Sequence, residues 1–236
     1  MPELIRPSTI LRAIRRPITI HTSDGLDLIG EVATPLSPRV ASILCLHPLP
    51  TAGGMMDSHV FKKAANRLPA LAGIEVIRFN TRGTESAAGK SAGEFGNGES
   101  EKFDVEAAIN YSFDSLGVTN LWVVGWSFGT DLALKFARDP RVNGLILLSP
   151  PFRTSKPSDL DFWAKDGRPI TALIPEHDDY LKPKEAAVTF AKVPQINLIP
   201  VADAKHLWVG EPAVYRGLTE IVKVVAPGAL PLPEEF

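Results

Sequence analysis

A serine lies between two aromatic residues and two glycines in the stretch Gly125–Gly129, which reads Gly-Trp-Ser-Phe-Gly. The apolar, β-branched run at 121–124 is typical of a strand. Between 132 and 137 apolar residues recur at helical spacing. A strand that enters a helix through Gly-x-Ser-x-Gly is a nucleophile elbow, which lifts the serine hydroxyl off the sheet. We therefore predict Ser127 as a nucleophile and the backbone N–H of Phe128 as an oxyanion donor.

The serine needs a base to take its proton and an acid to orient that base. In this type of site the chain order is Ser, then Asp or Glu, then His. Two histidines follow Ser127: His177 lies within the acidic cluster at 176–179, whereas His206 lies beyond it. The order therefore predicts His206 as the base and leaves Glu176, Asp178 and Asp179 as candidates for the acid.

The loop after the strand "ASILCLH" is expected to supply a second oxyanion donor. Pro48 and Pro50 have no N–H, so Leu49 is the donor that this tripeptide offers. His47 ends the strand, and because the triad already has its base we predict that His47 braces the loop by hydrogen bonds.

The remaining elements must bring these residues to one edge of a sheet. At 236 residues the chain predicts one α/β domain. Alternating runs around 23–25 predict an antiparallel hairpin, and buried strands then alternate with helices, one of them over 57–68. This pattern predicts a mostly parallel sheet with helices on both faces, whose ligands bind beyond the carboxyl ends of the strands. We expect an N-terminal extension at 1–16, a domain at 17–227 with a candidate short cap at 151–168, and a Pro-rich tail at 228–236.

Composition excludes several classes of function. The net charge of −2 argues against nucleic-acid binding, which depends on a basic surface. Apolar residues make up 44%, enough for a large core. The single cysteine, Cys45, lies in an apolar strand and is predicted to be a core residue in a reducing compartment. No signal-peptide pattern and no run of about 18 apolar residues is present, so we expect a cytoplasmic protein without a membrane span.

Three motifs together carry a family resemblance: HPLPTAGG (His47–Gly54), RFNTRG (Arg78–Gly83) and GWSFG (Gly125–Gly129). The sequence resembles the α/β-hydrolase superfamily, in particular a small bacterial group of predicted hydrolases. The resemblance runs from about residue 17 to the last helix. It implies an α/β-hydrolase fold with a minimal cap and no metal or organic cofactor. The implied roles are nucleophile for Ser127, acid for Asp178, base for His206, and oxyanion donors for Leu49 and Phe128.

The resemblance also selects among the acids. Superfamily members carry the acid at the end of a Gly-x-x-Asp stretch, followed by a hydrophobic residue and a proline. Here Pro175 replaces the glycine, Leu181 and Pro183 fill the later positions, and the register selects Asp178 over Asp179.

The chain departs from the group at three positions. Leu49 stands where a second histidine is common, Glu85 where a small residue is usual, and Asp131 in the first turn of the nucleophile helix. A carboxylate in that turn suits the helix dipole, and we favour this role for Asp131 over one in substrate selection.

Two functional hypotheses follow. The first is a serine hydrolase that cleaves a small-molecule carboxylic ester or thioester through an acyl-enzyme, with acyl transfer or peptide hydrolysis by the same triad left open. The second is a hydrolase-like binding protein without turnover, since fold does not guarantee function. The segment 152–168 is too short for a large lid, so we expect an open pocket with apolar walls from Trp126, Phe128, Phe162 and Trp163. The sequence predicts no oligomeric state.

Overall fold

The apolar runs form an eight-stranded sheet in a computed structural model of the protein, which describes residues 4–235. A separate two-stranded hairpin lies in a long loop rich in Gly and Ser, at 81–100. The strands are β1 Ile14–His21, β2 Asp27–Thr34, β3 Ala41–Leu46, β4 Ile74–Phe79, β5 Glu85–Ser86, β6 Gly89–Lys90, β7 Leu121–Trp126, β8 Val142–Leu148, β9 Ile170–His177 and β10 Ile196–Lys205.

The large sheet has the order β1-β2-β4-β3-β7-β8-β9-β10. The strands β1 and β2 form the antiparallel hairpin predicted from the sequence, and β2 also pairs antiparallel with β4. The other neighbours all pair parallel. Because β3, β7, β8, β9 and β10 run in the same direction, their carboxyl ends meet along one edge of the sheet, where ligands bind in open α/β sheets.

Helices cover both faces of this sheet. They are α1 His59–Ala72, α2 Glu101–Asn110, α3 Phe128–Phe136, α4 Pro157–Asp166, α5 Pro183–Thr189 and α6 Glu211–Val225. Side chains of successive strand residues point to opposite faces, so β3 places Leu44 and Leu46 in the core with α2 and α3, and Ile43 and Cys45 in the core with α1 and α6. Burial raises the pKa of the Cys45 thiol to about 12. Cys45 is therefore the core residue that the sequence predicted.

Two segments differ from the prediction: helix α1 differs in its bounds, and the candidate cap at 151–168 differs in its position. Helix α1 starts two residues later than expected and continues through Pro69 to Ala72, where Gly73 ends it in a left-handed conformation (φ 63°). A proline disfavours a helix interior, but burial of the apolar face of α1, Pro69 included, outweighs that preference here.

The candidate cap segment forms helix α4, which packs on α3 rather than over the edge that carries the serine. Trp163 of α4 is fully buried, and its indole N–H donates to the carbonyl of Leu134 at 2.9 Å. Helix α4 therefore contributes to the core, whereas Pro151 and Arg153 at the start of the segment line the pocket beside the serine.

None of the helices in residues 4–235 combines the length and the apolar character that crossing a membrane requires.

Candidate active site

The turn between β7 and α3 has the geometry of a nucleophile elbow. Ser127 adopts φ 52° and ψ −122°, a strained conformation for a residue with a side chain. A Cβ on Gly125 would lie 2.4 Å from the carbonyl oxygen of Gly129, and a Cβ on Gly129 would lie 1.9 Å from the carbonyl oxygen of Leu46. Both glycines of the motif are thus required because backbone crosses at these two points.

Three side chains that are remote in sequence meet at this turn. His206 follows β10, and its Nε2 lies 2.8 Å from Ser127 Oγ. The other ring nitrogen, Nδ1, lies 3.0 and 2.9 Å from the two carboxylate oxygens of Asp178, which follows β9. With the proton on Nδ1 donated to the carboxylate, Nε2 is free to accept the serine proton, which is the arrangement of a catalytic relay.

Both the ring and the backbone of His206 are held by neighbouring aromatic residues. The aromatic ring of Tyr180 packs on it with the ring centroids 4.6 Å apart, and the indole N–H of Trp126 donates to the His206 carbonyl at 3.2 Å. Asp178 also accepts the backbone N–H of Tyr180 at 2.8 Å. Burial acts to raise the pKa of Asp178, but these hydrogen bonds and that of His206 hold it below the ordinary value. The carboxylate is therefore ionised and preorganised.

The neighbouring acids lie outside this relay. Asp179 is exposed, whereas Asp178 is 2% exposed. Glu176, His177 and Asp203 are also exposed, and their possible ligand atoms lie within 4.8 Å of one another, in a solvated cluster without a buried member. The geometry thus brings Asp178, and not Asp179, to His206, and the role of Asp178 as the acid stays a prediction.

The loop after β3 holds Leu49 beside the serine. Among the described residues the N–H of Leu49 donates to no other group, and the N–H of Phe128 has no partner within its own helix because it opens α3. His47 braces the loop: its Nδ1 lies 2.7 Å from the carbonyl of Pro48, and its Nε2 accepts the backbone N–H of Thr81 at 3.0 Å. Burial lowers the pKa of His47 to about 4, so its ring is neutral near pH 7.

The RFNTRG motif links this loop to its surroundings. Arg78 forms ion pairs with Glu31 and Asp57, and Arg82 pairs with the buried Asp104 and with Asp24. The motif itself contributes no residue to the hydrogen-bonded relay of Ser127, His206 and Asp178. The motif therefore has a structural role in positioning Thr81 and, through it, His47.

A pocket of about 110 Å³ opens beside the serine. Its walls are mostly apolar, and its lining residues are Pro48, Leu49, Ala52, Ser127, Phe128, Pro151, Arg153, Tyr180, His206 and Leu207. A larger groove of about 530 Å³ between the N-terminal segment, α1 and α6 contains neither the serine nor His206.

The predicted walls of this pocket need correction. Phe128 lines it, but Trp126, Phe162 and Trp163 do not. Trp126 points to the opposite face of the sheet, where its ring packs edge-on against those of His59 and Phe61. Alternation along β7 explains this, since Trp126 shares the face of Val124 in the core with α1 and α6. Phe162 and Trp163 belong to the packing of α4.

Asp131 has a role that the helix-dipole interpretation missed. Its carboxylate is fully buried and accepts the backbone N–H groups of Arg153 at 2.9 Å and Thr154 at 3.0 Å, together with the hydroxyl of Ser155. Burial raises the pKa of Asp131, against the opposing effect of these hydrogen bonds. Asp131 thus anchors the loop that follows β8 to the nucleophile helix. Arg153 and Tyr180 are pocket residues that no sequence pattern indicated.

Comparison with known proteins identifies the family to which this fold belongs. Residues 41–206 match the profile of the α/β hydrolase fold family. The protein belongs to the α/β-hydrolase family. The matched region of this α/β hydrolase starts at β3 and ends at His206, so it contains every residue of the relay. A comparison with curated proteins finds no match to its sequence.

Solved structures share the fold of this α/β hydrolase over nearly all of its length. An α/β serine hydrolase without a lid from Xanthomonas campestris is 24% identical, with a TM-score of 0.74 over 93% of this chain and 99% of that one. An α/β serine hydrolase homologue from Coxiella burnetii is 22% identical, with a TM-score of 0.75 over 89% and 97% of the two chains. An esterase from Pyrococcus furiosus is 18% identical, with a TM-score of 0.71 over 93% and 98%.

Proposed function

We propose that this protein is a serine hydrolase that cleaves carboxylic esters or thioesters through an acyl-enzyme. The observation that carries the proposal is the continuous hydrogen-bonded path from Ser127 Oγ through His206 to the buried carboxylate of Asp178. A path of this kind activates a serine that is otherwise a poor nucleophile. Similarity in fold to an esterase and to serine hydrolases supports the same reaction class.

In the first half of the reaction, Ser127 Oγ attacks the carbonyl carbon while its proton passes to His206 Nε2. The oxyanion that forms accepts hydrogen bonds from the N–H groups of Leu49 and Phe128, donors that are already in place and need no reorganisation. The bond to the leaving oxygen or sulfur then breaks, and His206 returns its proton to that atom. Asp178 stays ionised and stabilises the imidazolium.

In the second half, a water molecule attacks the acyl-enzyme and gives its proton to His206. The bond to Ser127 Oγ breaks, the serine recovers its proton, and the carboxylic acid leaves. This sequence uses no group beyond the protein and water.

The pocket dimensions support short acyl groups. Its volume of about 110 Å³ is well below the roughly 300–1,000 Å³ of pockets that enclose drug-sized ligands. Apolar contacts from Leu49, Phe128 and Leu207 suit a short aliphatic chain. We expect kcat/KM to be highest for p-nitrophenyl acetate to butyrate and to fall for longer chains.

Labelling by a fluorophosphonate probe tests the proposal, because the probe reacts with an activated serine. We expect stoichiometric labelling of the wild type and none of Ser127→Ala, together with a loss of ester turnover of about 10⁴-fold or more. Ser115→Ala removes an exposed hydroxyl that does not line the pocket of Ser127, so it is the matched control and should label normally. An unlabelled wild type that folds correctly would instead favour a binding protein without turnover.

A further inference from the structure

Arg153 is the one permanently charged residue among those that line the pocket of Ser127. Its side chain is exposed, and within the described residues its guanidinium has no ion-pair partner. By contrast, the arginines that contact helix α4 and its end, Arg138 and Arg168, pair with Asp159 and Asp166. An unpaired cation in an otherwise apolar pocket is available to a ligand.

The backbone that carries Arg153 is held firmly. Asp131 accepts the N–H groups of Arg153 and Thr154 and the hydroxyl of Ser155, although burying this carboxylate is costly. The preceding residue, Phe152, has φ 50°, a conformation that disfavours any residue with a side chain. The ring of Phe152 packs on that of Phe190 with the centroids 5.2 Å apart. The buried carboxylate of Asp131 and the strained backbone of Phe152 are both unfavourable, and both fix the backbone at Arg153. Asp131 therefore acts as a positioning residue for Arg153.

Among residues 4–235, no carboxylate lines the pocket to neutralise this charge. The nearest acid of the relay, Asp178, is 2% exposed and is bound by His206. The whole chain carries a net charge of −2, so the positive charge beside the serine is a local property of the pocket.

We propose that the natural substrate is an ester or thioester that also carries a carboxylate, and that Arg153 binds this carboxylate. A guanidinium offers a planar fork of N–H donors that matches a carboxylate. A phosphate monoester carries about −1.5 to −2 charges at pH 7, which one arginine matches less well. The inference rests on the proposed hydrolase function and adds the charge of its substrate.

Matched ester pairs test the inference and locate the carboxylate. On the acyl side, mono-4-nitrophenyl adipate is compared with its methyl ester. On the alcohol side, 4-acetoxybenzoate is compared with methyl 4-acetoxybenzoate. In at least one pair we expect the wild type to prefer the anion by about tenfold in kcat/KM, a value that allows for the exposure of the arginine to solvent. Salt should reduce the preference.

Three variants assign the preference to its cause. Arg153→Gln should bring the ratio of the two kcat/KM values close to one, and Arg153→Lys should keep part of it because the charge remains. Lys156→Gln removes an exposed cation from the same loop, outside the pocket, and should keep the full ratio.

The outcomes separate this inference from the proposed function. A wild type that hydrolyses both members of each pair at equal kcat/KM, or a preference that survives in Arg153→Gln, overturns the substrate class and leaves the hydrolase intact. A wild type that hydrolyses neither member and does not react with the fluorophosphonate overturns both.

Discussion

Replacing Gly129 with alanine tests how tightly the serine turn is held against the oxyanion loop. The new Cβ would lie 1.9 Å from the carbonyl oxygen of Leu46 and 3.0 Å from that of His47. Both partners are backbone atoms at the end of a buried central strand, so neither can move aside as a flexible side chain would. The backbone of α3 or of β3 must therefore shift by at least about 1 Å to reach 3.0 Å.

That shift has a cost in both stability and rate. Overpacking of this kind typically costs about 1–3 kcal/mol, and because the contact is with backbone we expect about 3 kcal/mol. For a domain of this size each kcal/mol lowers Tm by about 2–4 °C, which predicts a decrease of roughly 6–12 °C. The shift also separates Ser127 from the N–H of Leu49, and a misplacement of about 1 Å costs on the order of 10²-fold in rate.

Gly217→Ala is the matched control, because Gly217 also lies in a helix, α6. A Cβ there would lie 3.6 Å from ring carbons of Trp208, an ordinary contact. The helix gains about 0.8–1 kcal/mol from alanine, so Tm should rise by about 2–4 °C with kcat/KM unchanged.

The assay combines thermal unfolding with kcat/KM for p-nitrophenyl acetate and the rate of fluorophosphonate labelling. If Gly129→Ala keeps the Tm and the labelling rate of the wild type while Gly217→Ala behaves as expected, the close approach of α3 to β3 does not control the position of the serine. The physical account of the motif given above would then be wrong.

Three further predictions concern the relay and its pH dependence. Asp178→Asn should lower kcat by about 10⁴-fold through loss of the orienting carboxylate, with Asp179→Asn nearly silent; a larger loss for Asp179→Asn would reassign the acid. His47, with its pKa of about 4, stays neutral near pH 7, so His47→Gln should leave the shape of the pH–rate profile unchanged between about pH 6 and 8; a step that appears or disappears in that range would contradict this. Because that pKa lies below the ordinary 6.5, the unfolded chain binds one more proton between these values, so the free energy of unfolding should fall by about 3 kcal/mol as pH falls through this window. Urea titrations should show a flatter dependence in His47→Gln and an unchanged one in the exposed His21→Gln.

The parts of the site that the sequence predicts are those with a local signal. Gly125, Ser127 and Gly129 lie within one turn, and both the strand before it and the helix after it have clear periodicity. The fold follows from the alternation of buried strands and helices, which the structure reproduces. The chain order of such sites then predicts His206 as the base, and the spacing in the resembling family predicts Asp178 as the acid.

The features that the sequence does not predict depend on packing between distant segments. An apolar residue beside the serine can be buried on either face of the sheet, so its sequence position does not tell which face it occupies. Only the assembled fold shows that Trp126 points away from the pocket. The carboxylate of Asp131 suits a helix N-terminus in any context, so its true partners at 153–155 have no local signal. The loop that carries Arg153 has the composition of an ordinary surface loop. Nothing in its sequence therefore marks the arginine as a pocket residue.

The distribution of the relay over β7, β9 and β10 has a consequence for how activity arises during synthesis. A chain that has emerged from the ribosome only as far as α5 contains its serine and its acid but not yet its base. The base arrives with the last strand, which must add to the edge of the sheet beside β9 before Nε2 can reach the hydroxyl. Under the proposed function, a nascent chain that lacks this strand therefore cannot attack an ester. For the same reason, regain of esterase activity in a refolding experiment would report completion of the sheet, whereas circular dichroism also responds to partly assembled chains.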